Sequence, residues 1–182
     1  GHLLKATIVD GSQCPSGGLN ADVSPNACGL EASRGEVLRW QNRYDAAIQA
    51  LASEQNMPAK VIKAVIAVES QFWPAANWAK GEIGLGQMTE MGADLVLAWR
   101  TDYFQAICSQ GLDKAACAKG YGGIDITYQR LLRGLVLKSI DVTCPTCQGG
   151  VDPARGDQAV TVLTESLGAS CRQSNRTFWL AT

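Results

Sequence analysis

Residues Pro58 to Trp73 read PAKVIKAVIAVESQFW. Ile62, Val65, Ile66 and Glu69 recur at three- and four-residue spacing, the period of a single helix face. Pro58 lies where a first helical turn accepts proline, so the spacing predicts a helix from about Pro58 to Ser70. The stripe is apolar except for its last member. Carboxylates are rarely buried without a partner or a purpose, and Glu69 follows Ile66, Val65 and Ile62 by three, four and seven residues. The expectation is a carboxyl set against apolar walls. Desolvation there penalises the charged form and raises the pKa, which suits a general acid. The competing reading is a helix-end glutamate that reaches solvent or pairs with a nearby lysine.

Working outward, Pro74 to Gly86 reads as a loop, with Gly81, Gly84 and Gly86 supplying backbone freedom. Gln87 follows Glu69 by eighteen positions. Thr89 to Trp99 returns to a helical pattern, and shorter helical pieces follow around Tyr103–Ser109 and Asp113–Lys119. A long helix is predicted from about Ile124 to Ser139, with Ile124, Thr127, Leu131, Leu135 and Lys138 on a common stripe. Another runs from about Asp152 to Ala169 and carries Ala159, Val162, Leu163 and Leu167. Upstream, Ser33 with Glu36 has the spacing of a capping box, ahead of a face formed by Val37, Trp40, Tyr44, Ala47, Ile48 and Leu51. Residues 1–33 are rich in Gly, Ser, Pro and Asn and show no helical period. The predicted organisation is an irregular arm over 1–33 and a mainly α-helical domain over 34–182.

Composition narrows the chemistry. At 182 residues and 46% hydrophobic, the chain supports one packed domain. A net charge of −1 with scattered Lys and Arg offers no electrostatic footprint for nucleic acid or an anionic membrane. No stretch approaches the roughly 18–20 apolar residues of a membrane span. Gly1-His2 reads as a tag remnant, which leaves room for a leader ahead of it. His2 is the single histidine, so neither a Ser-His-Asp arrangement nor an HExxH metal site is expected, and no metal or cofactor is called. Acid–base work must rest on carboxylates, Lys, Tyr or thiols.

Seven cysteines, mostly in close pairs, read as disulfides of an oxidising compartment, secreted or in the cell envelope. Cys14 with Cys28 and Cys108 with Cys117 would each close a short loop. Cys144-Pro-Thr-Cys147 is a lone CxxC, compatible with a redox motif or half a zinc site, but no second CxxC exists. The expectation is a structural disulfide joining Cys171 to Cys144 or Cys147, with one cysteine left over.

The segment ESQFWPAANWAKGEIGLGQMT resembles the catalytic segment of the soluble lytic transglycosylases, relatives of goose-type lysozyme. Their pattern is Glu-Ser, an aromatic, a loop, then Gly-x-x-Gly-Leu-x-Gln. Glu69-Ser70, Phe72, Gly81, Gly84, Leu85 and Gln87 fall on it without a gap, and the resemblance extends over about Tyr44 to Leu95. It implies a lysozyme-like helical fold and cleavage of the β-1,4 bond between N-acetylmuramic acid and N-acetylglucosamine in peptidoglycan. Glu69 would be the single acid/base, leaving a 1,6-anhydromuramoyl end, with the substrate's acetamido group in place of the second carboxylate of ordinary glycosidases. Gln87 would hydrogen-bond substrate, the Gly84–Leu85–Gly86 backbone would line the groove, and Ser70 would stabilise the helix end or orient Glu69.

The sequence departs from the family pattern in several places. Trp78 stands where the family often has Ser, Thr89 where Met often follows, and Glu82 where a small residue is usual. Glu82 reads either as a second carboxylate at the cleft, favouring hydrolysis, or as a solvated loop residue. Trp73, Trp78 and Trp99 are candidates for stacking on sugars or for core packing. The family's late Ala-Tyr-Asn-x-Gly-like segment is missing, and Tyr121-Gly122-Gly123 comes before the long helix. That gap, the odd cysteine and the apolar Phe178-Trp179-Leu180 lead to the expectation of a chain continuing past Thr182. The alternatives are a lysozyme- or chitinase-like hydrolase on the same scaffold and a glycan-binding module without activity. A thiol redox protein ranks behind them, since the strand–helix context of such motifs is absent.

Overall fold

A helix becomes central when its neighbours cover more than one face, and here that helix comes near the end of the chain. In the computed structural model, which describes residues 1–173, the helices are α1 (His2–Lys5), α2 (Ala27–Asn42), α3 (Asp45–Gln55), α4 (Ala59–Glu69), α5 (Glu90–Trp99), α6 (Thr101–Gly111), α7 (Lys114–Cys117), α8 (Ile126–Ile140) and α9 (Asp157–Gln173). The fold is mainly helical, and among the described residues the only β pairing is in isolated bridges. α9 packs against α3, α4, α5 and α8. Its Ala159, Val160, Val162, Leu163, Thr164 and Ala169 are all buried, and the Thr164 hydroxyl is satisfied by donating to the Val160 carbonyl at 2.8 Å. Phe178-Trp179-Leu180 lie outside the described residues.

The predicted helix N-termini hold where a short polar side chain caps them. Thr89 Oγ1 accepts from the Gly92 amide, Asp113 from Ala116 and Asp125 from Thr127, each closing an otherwise orphaned donor. The capping box at Ser33 is overturned. α2 starts six residues earlier, at Ala27, where Asn26 caps the Gly29 amide at 2.9 Å. Ser33 is therefore a buried residue inside the helix, and Glu36 pairs with Arg39. The early start is built into the arm. Its backbone crosses α2 so closely that a Cβ on Gly29 would lie 2.0 Å from the Gly18 carbonyl oxygen, and Cys14–Cys28 ties the crossing.

The single helical face expected from Val37 to Leu51 is split between two helices. The chain breaks at Arg43–Tyr44, and two hydrophobic clusters explain why. Trp40 packs with Val142 and Val151, joined by Leu3, Ile8, Trp73 and Ala75. Tyr44, Ile48 and Ala52 belong to the main core. Tyr44 is seated against Gly156, whose Cβ would meet the phenol oxygen at 2.4 Å, and donates to the Pro153 carbonyl at 3.1 Å.

On α8 the buried stripe is Leu132, Val136 and Ile140, and Leu131 is exposed. The periodicity had placed Leu131 inward. Leu131 and Leu135 offer one apolar i, i+4 pair and Leu132, Val136 and Ile140 another, and the packing of α8 on α5 and α9 selects between them.

Three disulfides form: Cys14–Cys28, Cys108–Cys117 and Cys144–Cys147. The first two are as expected. The bridge from Cys171 to the CxxC pair is overturned, and Cys171 is a free thiol packed half-buried against the main core. The turn at 144–150 brings Cys144 and Cys147 to a Cα separation of 5.2 Å, with Cys147 N donating to the Cys144 carbonyl.

A half-buried polar network fastens α9 to the rest. Arg100 Nη1 lies 2.5 Å from Glu165 Oε2, with the two side chains only 15% and 12% exposed. Gln55 bonds both, donating to Glu165 at 3.0 Å and accepting from Arg100 at 2.6 Å. Burial pushes the Glu165 carboxyl above its ordinary value of 4.5 despite the opposing pull of Arg100 and Arg172. The folded protein therefore holds this proton to higher pH than the unfolded chain does, and stability falls as pH rises through the folded value. Thermal melts above pH 4.5 are expected to show the parent losing stability relative to Glu165→Gln as pH rises. The opposite slope would mean that the Arg100 pairing outweighs desolvation.

Candidate active site

The candidate acid stands where α4 runs out. Ile62 and Ile66 are completely buried and Val65 is half-buried, but Glu69, the last residue of the helix, is exposed. The dry walls expected around its carboxyl are absent. The stripe is continuous in angle, but it ends at the rim, one turn past the point where Ile66 enters the core. Among the described residues Glu69 makes no hydrogen bond or ion pair. Ser70 closes the helix, its amide and its hydroxyl both donating to the Ile66 carbonyl at 3.1 Å. Of the two roles expected for Ser70, the structure shows helix termination.

Directly after Ser70 the backbone turns through two consecutive left-handed residues, Gln71 (φ 50°) and Phe72 (φ 63°). For residues with a Cβ this conformation costs on the order of 1–2 kcal/mol each. It is held because Phe72 is buried in the main core and Trp73 N donates to the Ser70 carbonyl at 2.8 Å. Strain maintained by packing clusters at functional sites. The local sequence carries no sign of it, since neither Gln nor Phe favours this region.

The glycine loop folds as two successive tight turns. Asn77 and Glu82 pair through both backbone bonds, as do Ile83 and Met88. Ile83, Leu85 and Met88 are buried, so the second turn is plugged into the core. Gly84 adopts φ 74°, and a Cβ there would lie 3.1 Å from the Ile140 carbonyl oxygen. A Cβ on Gly86 would meet Leu163 at 2.8 Å. The expectation that Gly84, Leu85 and Gly86 line a groove is thus corrected for Leu85 (0% exposed) and for buried Gly84. Gly84 lies close against Ile140 of α8 and Ala159 of α9, and Leu85 joins the main core because an apolar side chain gains more from burial than from solvent.

Gln87, itself at φ 45°, is a staple for this loop: its amide nitrogen donates to Gly84 O at 2.7 Å and to Ala75 O at 3.3 Å. Gln87 was expected to hydrogen-bond substrate, and its side-chain nitrogen is engaged inside the loop by these two bonds. Gln87→Ala is expected to destabilise the fold by about 1–2 kcal/mol, measured by denaturant unfolding. A residue reserved for substrate would leave stability unchanged.

Trp78 is 63% exposed at the tip of the first turn. Glu82 is half-buried and accepts a long bond from Asn77 at 3.4 Å. The loop thus unites Gln87, Glu82 and Trp78 on one short segment, and Glu69 shares no hydrogen bond with any of them. Trp73 is in the packing of the second cluster, stacked on Trp40 with ring centroids 5.0 Å apart. Trp99 is exposed at the end of α5.

Tyr121 does not serve Glu69. Its hydroxyl donates to Asp94, which also pairs with Arg133 at 2.7 Å. Burial, then the bond and charge of Asp94, push the phenol up to about 12. Burial alone would lift the Asp94 carboxyl, but Tyr121 and Arg133 together hold it below its ordinary range. This triad couples α5 to α8, and sequence reading missed it because its members are far apart in the chain.

Among the described residues no group of three or more His, Cys, Asp or Glu is placed to hold a metal, and no helix is long and apolar enough to cross a membrane. No family model, curated protein or solved structure matches this chain.

Proposed function

We propose that the chain is a peptidoglycan lytic transglycosylase of lysozyme-like fold, acting outside the cytoplasm with Glu69 as its general acid and base. The observation that carries this reading is the unpartnered, exposed carboxylate at the end of α4, followed at once by the strained turn Gln71–Phe72. A glutamate free of ion pairs leaves its carboxyl open to a glycosidic oxygen. Glu69 gives its proton to the glycosidic oxygen as the C1–O bond breaks. It then accepts the proton of the sugar's 6-hydroxyl as that oxygen closes on C1. The carboxylic acid is regenerated and a 1,6-anhydro end results. The positive charge at C1 is met by the substrate's own acetamido oxygen, so one protein carboxylate suffices. The apolar surroundings for the acid come in this scheme from the bound glycan, which displaces water from the helix end.

Exposed Trp78 supplies a stacking surface for a sugar, and the stapled turn at Gln87 holds the loop that presents it. The three disulfides suit a secreted or envelope location. Peptidoglycan strands are the partner.

The test is mass analysis of the products released from purified peptidoglycan. Anhydro ends, one water lighter than reducing ends, support the proposal. Reducing ends support the hydrolase, in which Glu82 or bulk solvent delivers water. Specific binding without any lysis would favour the inactive glycan-binding module, a reading supported by the engagement of Tyr121 with Asp94 rather than with Glu69.

A further inference from the structure

The reactivity of a disulfide follows the access to its sulfurs and how firmly the fold holds the two cysteines together. By both measures one bridge differs from the others. Cys108 and Cys117 are 0% and 4% exposed and belong to the main core, which holds them side by side with or without the bond. Cys14 is buried as well, and the close backbone crossing at Gly18 and Gly29 keeps it beside Cys28. Cys144 and Cys147 are half-buried, with exposed Pro145 and Thr146 between them, and they belong to neither hydrophobic cluster. Cys147 borders a surface cleft of about 230 Å³ against the C-terminal half of α2, roomy enough for a small dithiol.

The turn that this bridge closes is pressed onto the segment that follows Glu69. Thr143 and Val151 pair across its base, with Cys144 N donating to the Gly150 carbonyl and Asp152 N to the Val142 carbonyl. Val142 and Val151 are buried in the second cluster, against which Trp73 packs. Within the turn, a Cβ on Gly149 would lie 2.9 Å from the Trp73 ring, so its backbone touches the indole. Trp73 comes directly after the left-handed pair Gln71–Phe72, and its amide donates to the Ser70 carbonyl. Gly149 and Gly150 are themselves both at φ 74°, a conformation that glycine enters and leaves without steric penalty. With the bridge closed, a covalent ring fixes where this glycine pair begins. With it open, only backbone hydrogen bonds do.

We propose that Cys144–Cys147 is a reversible redox switch, opened by a dithiol, that sets the seating of Trp73 and through it the turn after Glu69. Its effect on activity rests on the functional reading above. One thiolate of the dithiol enters by the cleft and attacks Cys147 Sγ, and a new S–S bond forms there as the Cys144–Cys147 bond breaks. Cys144 leaves as a thiolate and takes up a proton. Thr146 Oγ1 lies 3.7 Å from Cys144 Sγ, and its hydroxyl can donate to that thiolate. The second thiolate of the dithiol then displaces Cys147, which is protonated in turn. The protein gains two electrons and two protons, and the dithiol becomes a cyclic disulfide. The bond from Cys147 N to the Cys144 carbonyl holds the pair close enough to close again.

The test exposes the native protein to graded dithiothreitol, alkylates it and maps the labelled cysteines by mass spectrometry. Cys144 and Cys147 are expected to label together at about tenfold less dithiothreitol than either other pair. The Trp73 indole N–H resonance should shift with the same midpoint and return on oxidation. Gly149→Ala should move that resonance with the bridge still closed, because the added methyl meets the Trp73 ring. Opening at or after the other two pairs overturns the proposal, and so does a Trp73 resonance that ignores the opening. Muropeptide release should drop about ten- to hundredfold in the open form and recover on re-oxidation. The Cys144→Ser/Cys147→Ser variant should show the low rate without reductant. Equal release from open and closed forms overturns the switch. No release from either form, with Trp73 still responding, would sink the enzymatic reading and leave the redox control of Trp73 standing.

Discussion

Glu69→Gln is expected to lower the release of muropeptides from peptidoglycan by roughly 10²- to 10⁴-fold, the usual contribution of a positioned general acid or base. The amide keeps the size of the side chain but can neither give the first proton nor take the second. Stability is expected to stay within about 0.5 kcal/mol of the parent, because the side chain is exposed and makes no hydrogen bond among the described residues. The pairing of outcomes matters. Loss of lysis with an unchanged melt assigns chemistry to Glu69, whereas loss of both would mean a structural role. Muropeptide release at the parent rate would remove Glu69 from the mechanism altogether.

Leu85→Ala should cost about 3 kcal/mol, seen as a melting temperature lower by roughly 6–12 °C for a chain of this length. Leu85 is completely buried in the main core, in a turn wedged between the end of α8 and the middle of α9. Truncation leaves a cavity that the neighbouring glycines cannot fill, because Gly84 and Gly86 are already in contact with Ile140, Ala159 and Leu163. Activity should fall with it, since the same turn carries the Gln87 staple and leads back to Trp78. If Leu85 instead lined a substrate groove, the substitution would alter substrate affinity and leave the melt nearly unchanged.

The two substitutions lie in one sequence motif, and the motif alone does not separate their roles. ESQFW…GLGQ reads as a run of site residues, but the structure divides it into an acid at a helix end, a strained turn and an apolar plug. Helix α4 was legible because its pattern, its proline start and its Ser70 stop agree, and the loop after it was legible from its glycines. The helix starts near Thr89 and Asp113 were legible too, and the side chains that cap them bond within three residues of themselves. The exposure of Glu69 was not. Periodicity assigns the direction of a side chain around a helix and says nothing of where the core ends along the axis.

Local chemistry in the sequence is enough to place most helices, two of the disulfides and the carboxylate with its glycine loop, because each depends on residues close together in the chain. Partnership across the chain was decided by packing. Tertiary contacts chose Leu132 over Leu131 for the inner face of α8, whereas the local turn at 144–150 closed Cys144 on Cys147 and left Cys171 free. Tertiary contacts also broke one expected helix at Tyr44 so that Trp40 and Tyr44 could serve different clusters. The half-buried Arg100–Glu165 pair and the Tyr121–Asp94–Arg133 triad join helices that no local pattern relates. The physical reason is common to all of them. Local hydrogen bonding and side-chain sterics act over a few residues, whereas burial depends on which surfaces are left to cover once the helices have met.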